Sequence, residues 1–261
     1  MSFEESRAAF DAYADSFRAE DGSLPEAMQC KYDHTADVIR YAAMIAESSS
    51  FSPEDAELAA LCALFHDVAR FEQVKRFGTY NDRLSGFDHG YEAVRILLER
   101  GFVKNMDPAK RIVLLAAVEF HNKKEIPAGV CGEYTLRFAR LVRDADKLAI
   151  LELVLRYLKG ELVIHDDSLI ALSKSESNEV NPEIISRIRK GENCSYGLIR
   201  GMNDFLTCLF AWTRDLNYPC SARELLKRDI YTGIRAFLPK DPVFDEILNL
   251  ANNNLKCACL K

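Results

Sequence analysis

Helical periodicity runs through nearly all of the 261 residues, and no other feature constrains the fold as strongly. Apolar residues recur three and four positions apart in successive segments, which is the spacing of one face of an α-helix. The chain has 12 glycines and 8 prolines, fewer than average usage gives for its length, so long helices are favoured. No alternation of convincing length predicts a β-strand. The sequence therefore predicts an all-α fold.

Start signals place the helices along the chain. Ser52-Pro53, Asp107-Pro108 and Asp241-Pro242 each put a capping side chain before a proline of the first helical turn. The segment Ser221-Ala-Arg-Glu224 has the spacing of a capping box. Residues 73–87, rich in glycine and polar residues, predict a loop or a short helix. The predicted helices cover residues 2–19, 26–47, 52–68, 88–100, 108–121, 133–159, 201–216, 222–237 and 242–256.

We expect one all-α domain spanning residues 1–261. Its core covers about residues 20–160, a polar linker covers about 165–182, and a C-terminal helical layer covers about 183–261. The helix around residues 203–217 is strongly apolar for a surface helix, so it either packs over the core or forms a homodimer contact. Packing is favoured, because an apolar stripe is normally buried against its own chain.

Charge and hydropathy argue against several classes of protein. A net charge of −6 and a pI near 5.5 provide no positive field for binding nucleic-acid phosphates. Residues 1–10 lack the apolar segment of a signal peptide, and the runs Leu58–Phe65 and Ile112–Val118 are too short to span a membrane. The eight cysteines are scattered and form no Cys-x-x-Cys pair, which favours reduced core thiols. We expect a soluble cytoplasmic protein without nucleic-acid or membrane partners.

The few histidines occupy informative positions. Helical spacing places His34, His66 and His121 on apolar helix faces. Asp146 has the same spacing relative to its apolar neighbours, and Asp67 directly follows His66 at a helix end. Separate helices therefore each point a group that can bind a metal towards the interior.

A shared cation explains this set better than isolated core histidines do. An ionised carboxylate in apolar surroundings is costly unless it is paired or bound to a metal. His89 opens a further helix, whereas His165 heads the polar linker and is expected at the surface. Imidazole and carboxylate together suit Mn, Fe, Co, Ni or Zn and do not choose among them. The alternative is that these are ordinary hydrogen-bonded core histidines.

The order His34, then His66-Asp67, then Asp146 resembles the signature of the HD-domain superfamily of metal-dependent phosphohydrolases. Asp146 lies in Arg143-Asp-Ala-Asp-Lys-Leu148, which is similar to the context of that family's last aspartate. Asp144 is the rival, but its spacing faces it towards Arg140 rather than the apolar stripe. The resemblance covers about residues 30–150 and implies an HD-type helical core with additional C-terminal helices.

Two more histidines strengthen the resemblance. His89 and His121 fall between the His-Asp pair and the last aspartate, an arrangement similar to HD members with two metals, the HD-GYP group among them. The Gly-Tyr-Pro element of that group is missing after His121, which counts against cyclic di-GMP as substrate. Residues 66–73 and 80–89 are similar to segments of a bacterial group of HD-domain proteins.

The resemblance implies a ligand set for one or two divalent ions, with Mn, Fe, Mg, Co, Ni and Zn all open. One ion is held by four residues, and Asp67 bridges to a second ion. The implied ligands of the first ion are His34, His66, Asp67 and Asp146, and those of the second are Asp67, His89 and His121. The implied reaction is hydrolysis of a phosphomonoester or phosphodiester by a metal-activated water, with a nucleotide as the favoured small-molecule substrate.

The substrate phosphate also needs cationic partners. Arg70, one turn beyond His66, is the preferred catalytic and substrate contact, and Lys147 beside Asp146 is a second. Three further lysines, Lys31, Lys123 and Lys124, are more simply explained as solvated. Asp37 either orients His34 or is an ordinary exposed acid. Asn81 and Asp82 either line the pocket or serve turn chemistry, which is favoured.

The sequence also fits two other functions. HD-type sites that hold two irons also occur in oxygenases, which activate oxygen instead of water. A regulatory module that binds a nucleotide without turnover is the other alternative, although all six ligand positions are filled here. A metal-dependent phosphohydrolase is the favoured hypothesis.

Overall fold

The computed structural model describes residues 2–163 and 179–260, and every regular element in these ranges is a helix. The predicted all-α fold class is therefore confirmed. The chain divides into two compact units, Met1–Ala149 and Ile150–Lys261. His165 and most of the predicted linker lie outside the described residues, so the predicted boundaries of core, linker and C-terminal layer stay predictions. Among the described helices, none combines the length and apolarity needed to cross a membrane.

The first unit contains seven complete helices and the start of an eighth, which continues past the unit's boundary. In chain order they are α1 (Phe3–Asp15), α2 (Glu26–Ser48), α3 (Pro53–Phe65), α4 (Arg70–Phe77), α5 (Asp82–Ser85), α6 (His89–Glu99), α7 (Pro108–Phe120) and α8 (Glu133–Leu158).

Capping side chains define where these helices begin. The Ser52 hydroxyl accepts a hydrogen bond from the Asp55 backbone, and the Asp107 carboxylate accepts from the backbone amides of Ala109 and Lys110. A proline follows each cap in the first turn, so both predicted helix starts are confirmed. The ends differ more: α1 ends at Asp15 rather than near residue 19, and α3 ends at Phe65 rather than near residue 68.

Helix α3 lies at the centre of the first unit and contacts α1, α2 and α7. Its apolar residues face in several directions, and Leu58, Cys62 and Phe65 are all buried. The Phe65 ring packs edge-on against Phe10 of α1, with 6.3 Å between centroids. Burial of a side chain such as Phe65 contributes on the order of 2 kcal/mol. This packing fixes the C-terminal end of α3, where the candidate site begins.

The second unit contains five further helices and two short 3-10 segments among its described residues. In order these are α9 (Pro182–Lys190), a 3-10 turn (Tyr196–Leu198), α10 (Met202–Leu209), a 3-10 helix (Phe210–Arg214), α11 (Pro219–Lys227), α12 (Ile230–Arg235) and α13 (Pro242–Ala258). The Asp241 carboxylate caps α13, as the sequence predicts.

Several predictions for the second unit are wrong. The predicted helix 222–237 is two helices, because Asp229 adopts a left-handed conformation with φ 49° and interrupts it. The capping box at Ser221 does not form, since α11 begins at Pro219 and Ser221 lies buried in its first turn. Helix α9 was not predicted, although Asn181 and Pro182 provide its start signal. The predicted helix 201–216 changes to 3-10 geometry at Phe210.

Candidate metal centre

The first cluster forms where the end of α3 meets the middle of α2. Helix α3 ends at Phe65, so that His66 and Asp67 follow directly at its C-terminus. His34, on the buried face of α2, points to the same place. One ligand atom from each of these three buried residues lies within 4.8 Å of the others. This group can hold a metal ion.

A second cluster adjoins the first and shares one residue with it. His89 is the first residue of α6, and His121 caps the C-terminal end of α7. Ligand atoms of His89, His121 and Asp67 lie within 4.8 Å of one another, and all three residues are buried. Asp67 therefore belongs to both clusters.

The two oxygens of Asp67 face different histidines. Its Oδ2 atom is 3.6 Å from Nε2 of His66. Its Oδ1 atom is 3.5 Å from Nε2 of His89 and 3.6 Å from Nε2 of His121. A carboxylate that presents one oxygen to each cluster could contact a cation in both.

Asp146 on α8 completes the first cluster. Its Oδ1 atom is 2.9 Å from Nε2 of His34 and 3.9 Å from Nε2 of His66. The Asp146 side chain is 20% exposed, whereas that of Asp67 is 4% exposed, so Asp146 marks the more accessible side of the centre. Its rival Asp144 is fully buried on the same helix. The structure thus brings all six predicted ligands together, and their role as ligands stays a prediction.

Backbone carbonyls set the tautomers of two histidines. Nδ1 of His66 donates a hydrogen bond to the carbonyl of Ala63 at 2.7 Å, and Nδ1 of His121 donates to that of Val118 at 2.6 Å. A carbonyl only accepts, so the proton is on Nδ1 and the lone pair is on Nε2 in each ring. Nε2 of His66 is buried and has no hydrogen-bond partner in the described part of the chain. An unpartnered buried lone pair facing two carboxylates fits a metal ligand.

The protonation states also suit metal binding. Burial lowers the pKa of His66 to about 4. Burial, together with the positive charge of Arg70, lowers the pKa of His89 to about 3. Burial alone would raise the Asp67 pKa, but Lys31, His66 and Arg70 hold it well below its usual value. Near neutral pH these histidines are neutral and the carboxylate is ionised, which are the forms that bind metals.

Asp82 orients His89 from outside the centre. Its Oδ2 atom is 2.5 Å from Nδ1 of His89, and its Oδ1 accepts from Nε2 of the fully buried Gln73 at 2.9 Å. Burial alone would raise the Asp82 pKa, but the His89 hydrogen bond and the Arg70 charge lower it to about 2. The favoured prediction of a turn-forming role holds for Asn81, whose side chain caps α5. It does not hold for Asp82, which contacts His89 and so supports the centre.

Substitution of Asp82 tests this supporting role. We expect Asp82→Asn to weaken metal binding about 10- to 100-fold, because a neutral amide no longer fixes the proton on Nδ1 of His89. Titration calorimetry with Mn²⁺ measures the effect. Asp37→Asn is a matched control, since the Asp37 carboxylate pairs with Arg40 at 3.0 Å on the outer part of α2. Equal metal affinity in both variants would contradict the orienting role of Asp82.

The Arg70 guanidinium is occupied by protein acceptors. Nε is 3.3 Å from Oδ1 of Asp67, and Nη1 donates to Oδ1 of Asp82 at 2.9 Å. Nη1 also donates to Oε1 of Gln73 and to the carbonyl of Tyr80, at 2.7 and 2.6 Å. These contacts hold the carboxylates around the centre in place. The predicted contact of Arg70 with substrate stays a prediction beside this positioning role.

Lys31 holds the other oxygen of Asp67. Its Nζ atom is 3.0 Å from Asp67 Oδ2 and lies 5.3 Å from the centroid of the Tyr80 ring. The sequence favoured a solvated surface position for this lysine, which is wrong, because the side chain is only 16% exposed. Lys147, predicted to contact substrate, is nearly buried on α8, and that role stays a prediction.

Arg143 is a supporting residue that the sequence-based predictions do not include. Its guanidinium donates to the backbone carbonyls of Phe120, His121 and Lys123. These bonds fix the turn that follows α7 and with it the His121 side chain. Its position, as an arginine on an otherwise apolar face of α8, is the sequence signal from which this role could have been predicted. Asp37 was predicted either to orient His34 or to be an ordinary exposed acid. In the structure its carboxylate pairs with Arg40.

A helical unit with two buried, adjoining groups of histidine and aspartate defines a candidate two-metal protein. The family model of the HD domain matches residues 32–151, a range that contains all six of these residues. With the clustered side chains, this match shows an HD domain over residues 32–151, and proteins with this domain are largely metal-dependent hydrolases. Neither the curated proteins nor the solved structures gave a match to the chain.

Proposed function

We propose that this HD-domain protein is a metal-dependent phosphohydrolase that cleaves a phosphomonoester or phosphodiester, with a nucleotide as the favoured substrate. The observation that carries the proposal is the position of Asp67, which is shared by two buried clusters and offers one oxygen to each. Two cations beside one carboxylate suit an in-line displacement at phosphorus, because they can neutralise both the attacking and the leaving oxygen.

The six predicted ligands would hold two ions. His34, His66 and Asp146 would hold one ion together with Asp67. His89 and His121 would hold the other, also together with Asp67. When bound, divalent metals supply Lewis acidity, which lowers the pKa of water towards about 7 and offsets negative charge on a phosphoryl group. No serine or cysteine nucleophile is then needed.

The protein's own charges support this chemistry. Lys31 and Arg70 contact opposite oxygens of Asp67 and keep its carboxylate ionised and oriented. Asp82 sets the tautomer of His89 in the same way that the Val118 carbonyl sets that of His121. Because the ligand atoms are preorganised and buried, little rearrangement is needed when charge develops on the substrate.

The proposal is tested by metal analysis and a substrate panel on the full chain. We expect protein loaded with Mn²⁺, Fe²⁺, Mg²⁺, Co²⁺, Ni²⁺ or Zn²⁺ to hydrolyse aryl phosphates or nucleotides with at least one metal. His66→Ala should lose both metal and activity, since its Nε2 lone pair is one of the central ligands. His165→Ala is the matched control, because His165 is the one histidine outside the ligand set.

Each alternative function has its own result in this experiment. Bound metal with no turnover on any phosphoester would contradict a phosphohydrolase and favour a regulatory binding module. Activity that requires both iron and oxygen would favour an oxygenase. Unchanged metal content in His66→Ala would contradict the proposed centre itself.

A further inference from the structure

A pocket of about 380 Å³ lies in the first unit between the end of α1, the start of α2, and α4. Its apolar wall is formed by Phe17, Met28 and Val74, and Arg18 and Lys75 line it as well. This volume is within the range of small-molecule sites, which are mostly apolar with a few polar groups. None of these residues belongs to the candidate metal centre.

The pocket lies one helical turn from the cations that hold Asp67. Met28 and Lys31 are three positions apart on α2, and Val74 and Arg70 are four positions apart on α4. Residues at these spacings share a face of a helix. With a rise of about 1.5 Å per residue, Met28 and Val74 are about 4.5 and 6 Å along their helix axes from Lys31 and Arg70. The pocket therefore adjoins the two cationic residues that contact Asp67.

The lining is suited to a flat apolar group. The half-buried Phe17 ring is held from behind by Tyr13 and Phe71, with centroid distances of 5.1 and 5.7 Å. Nζ of the exposed Lys75 lies over the Phe17 ring, 5.4 Å from its centroid, so a cation faces the ring. A held aromatic ring stacks well on another ring, and an adjacent ammonium favours electron-rich or anionic substituents.

We propose that this pocket, here called the α1–α2–α4 pocket, is the subsite for the organic group of the phosphoester and selects planar, apolar groups such as aromatic rings and nucleobases. The inference rests on the proposed function, because it assumes that a phosphoryl group is bound at the metal centre. It goes further by naming where the rest of the substrate binds and what chemistry that position favours.

Binding of two non-hydrolysable probes tests the pocket. Naphthylmethylphosphonate carries a flat apolar group, and methylphosphonate carries the same phosphonate without it. We expect Mn²⁺-loaded protein to bind the naphthyl probe at least about tenfold more tightly in calorimetry, in line with burial and stacking of one aromatic group. Phe17→Ala should remove most of this preference and leave the affinity for methylphosphonate unchanged.

Two further variants provide an independent check and a control. Val74→Trp fills the pocket from a half-buried position, so it should abolish the preference even if Phe17→Ala fails to fold. Phe77→Ala is the matched control, because Phe77 is an exposed phenylalanine on the same helix and does not line the pocket. Equal affinity for the two probes, or a preference that survives both pocket variants, would overturn the inference.

Activity separates this inference from the proposed function. The matching substrates are 1-naphthyl phosphate and methyl phosphate, a phosphomonoester that has no flat apolar group. If wild type and the pocket variants hydrolyse both with unchanged ratios, the pocket inference fails and the proposed function stands. If the protein binds neither phosphonate and hydrolyses neither phosphate, the proposed function fails and the inference fails with it.

Discussion

Asp67→Asn is expected to abolish metal binding in both clusters and to lower phosphoester hydrolysis at least about 1,000-fold, equivalent to about 4 kcal/mol of barrier. The amide keeps the shape of the side chain but removes the charge that both clusters share. Its oxygen can face only one cluster, whereas the carboxylate presents Oδ2 to His66 and Oδ1 to His89 and His121. Among the six predicted ligands, Asp67 is the one that belongs to both clusters.

The same substitution also leaves two cations without their anionic partner. Lys31 and Arg70 contact opposite oxygens of Asp67, and both side chains are largely buried. Removing one member of a buried pair costs about 3 kcal/mol, so the melting temperature should fall. Activity and metal content are therefore interpreted only at temperatures where circular dichroism shows that the variant is folded.

Inductively coupled plasma mass spectrometry of the purified variant measures its metal content. His121→Ala provides an internal comparison, because it removes a ligand from the second cluster alone and should lower the metal content by about half. Asp37→Asn, whose carboxylate pairs with Arg40, should match wild type in metal content and in activity. Full metal content in Asp67→Asn would show that the carboxylate does not bridge the two clusters.

Most of the candidate ligands could be predicted from sequence because helical periodicity alone decides which side chains face inward. His34 and Asp146 lie 112 positions apart, yet each sits among apolar residues at helical spacing, and the structure places them 2.9 Å apart. The all-α class was predictable for the same reason. Periodicity could not predict that the two clusters adjoin, because it fixes a face and says nothing about which faces meet. That expectation came from the family resemblance, through the shared Asp67.

The supporting residues were harder to predict, because their contacts are made by loops and helix ends. Asp82 follows Asn81 in a polar segment, where turn chemistry is the simpler explanation, and only the folded chain brings it to His89. Lys31 is a lysine on a helix that is partly exposed, and its pairing with Asp67 depends on how α2 packs against α3. Predicted helix boundaries were wrong where an unusual backbone conformation interrupts a helix, as at Asp229.

One feature of the centre links helix termini to metal chemistry. The last carbonyls of a helix lack partners within the helix. His66 and His121 each cap a helix, and each donates Nδ1–H to the carbonyl three residues earlier. The bond satisfies a terminal carbonyl and, at the same time, turns the Nε2 lone pair towards Asp67. A Phe-His pair ends both helices in the sequence, as Phe65-His66 and Phe120-His121.

Arg70→Met is expected to lower kcat for phosphoester hydrolysis at least about 100-fold, with little change in KM. The guanidinium contacts Asp67, Asp82 and Gln73 at 3.3, 2.9 and 2.7 Å, so its loss should disorder ligands of both clusters rather than weaken substrate binding. Asp67 and Asp82 also each lose a buried cationic partner, which should cost about 3 kcal/mol of unfolding free energy.

The direction of the KM change separates positioning from substrate contact. If Arg70 binds the substrate phosphate, Arg70→Met should raise KM strongly and leave metal affinity intact, and that result would contradict the positioning role. Arg70→Lys keeps the charge but cannot reach Asp67 and Asp82 with one planar fork, so it should restore stability more than it restores kcat. Arg83→Met, which removes an exposed arginine from the adjoining α5, is the control and should match wild type in kcat, KM and metal affinity.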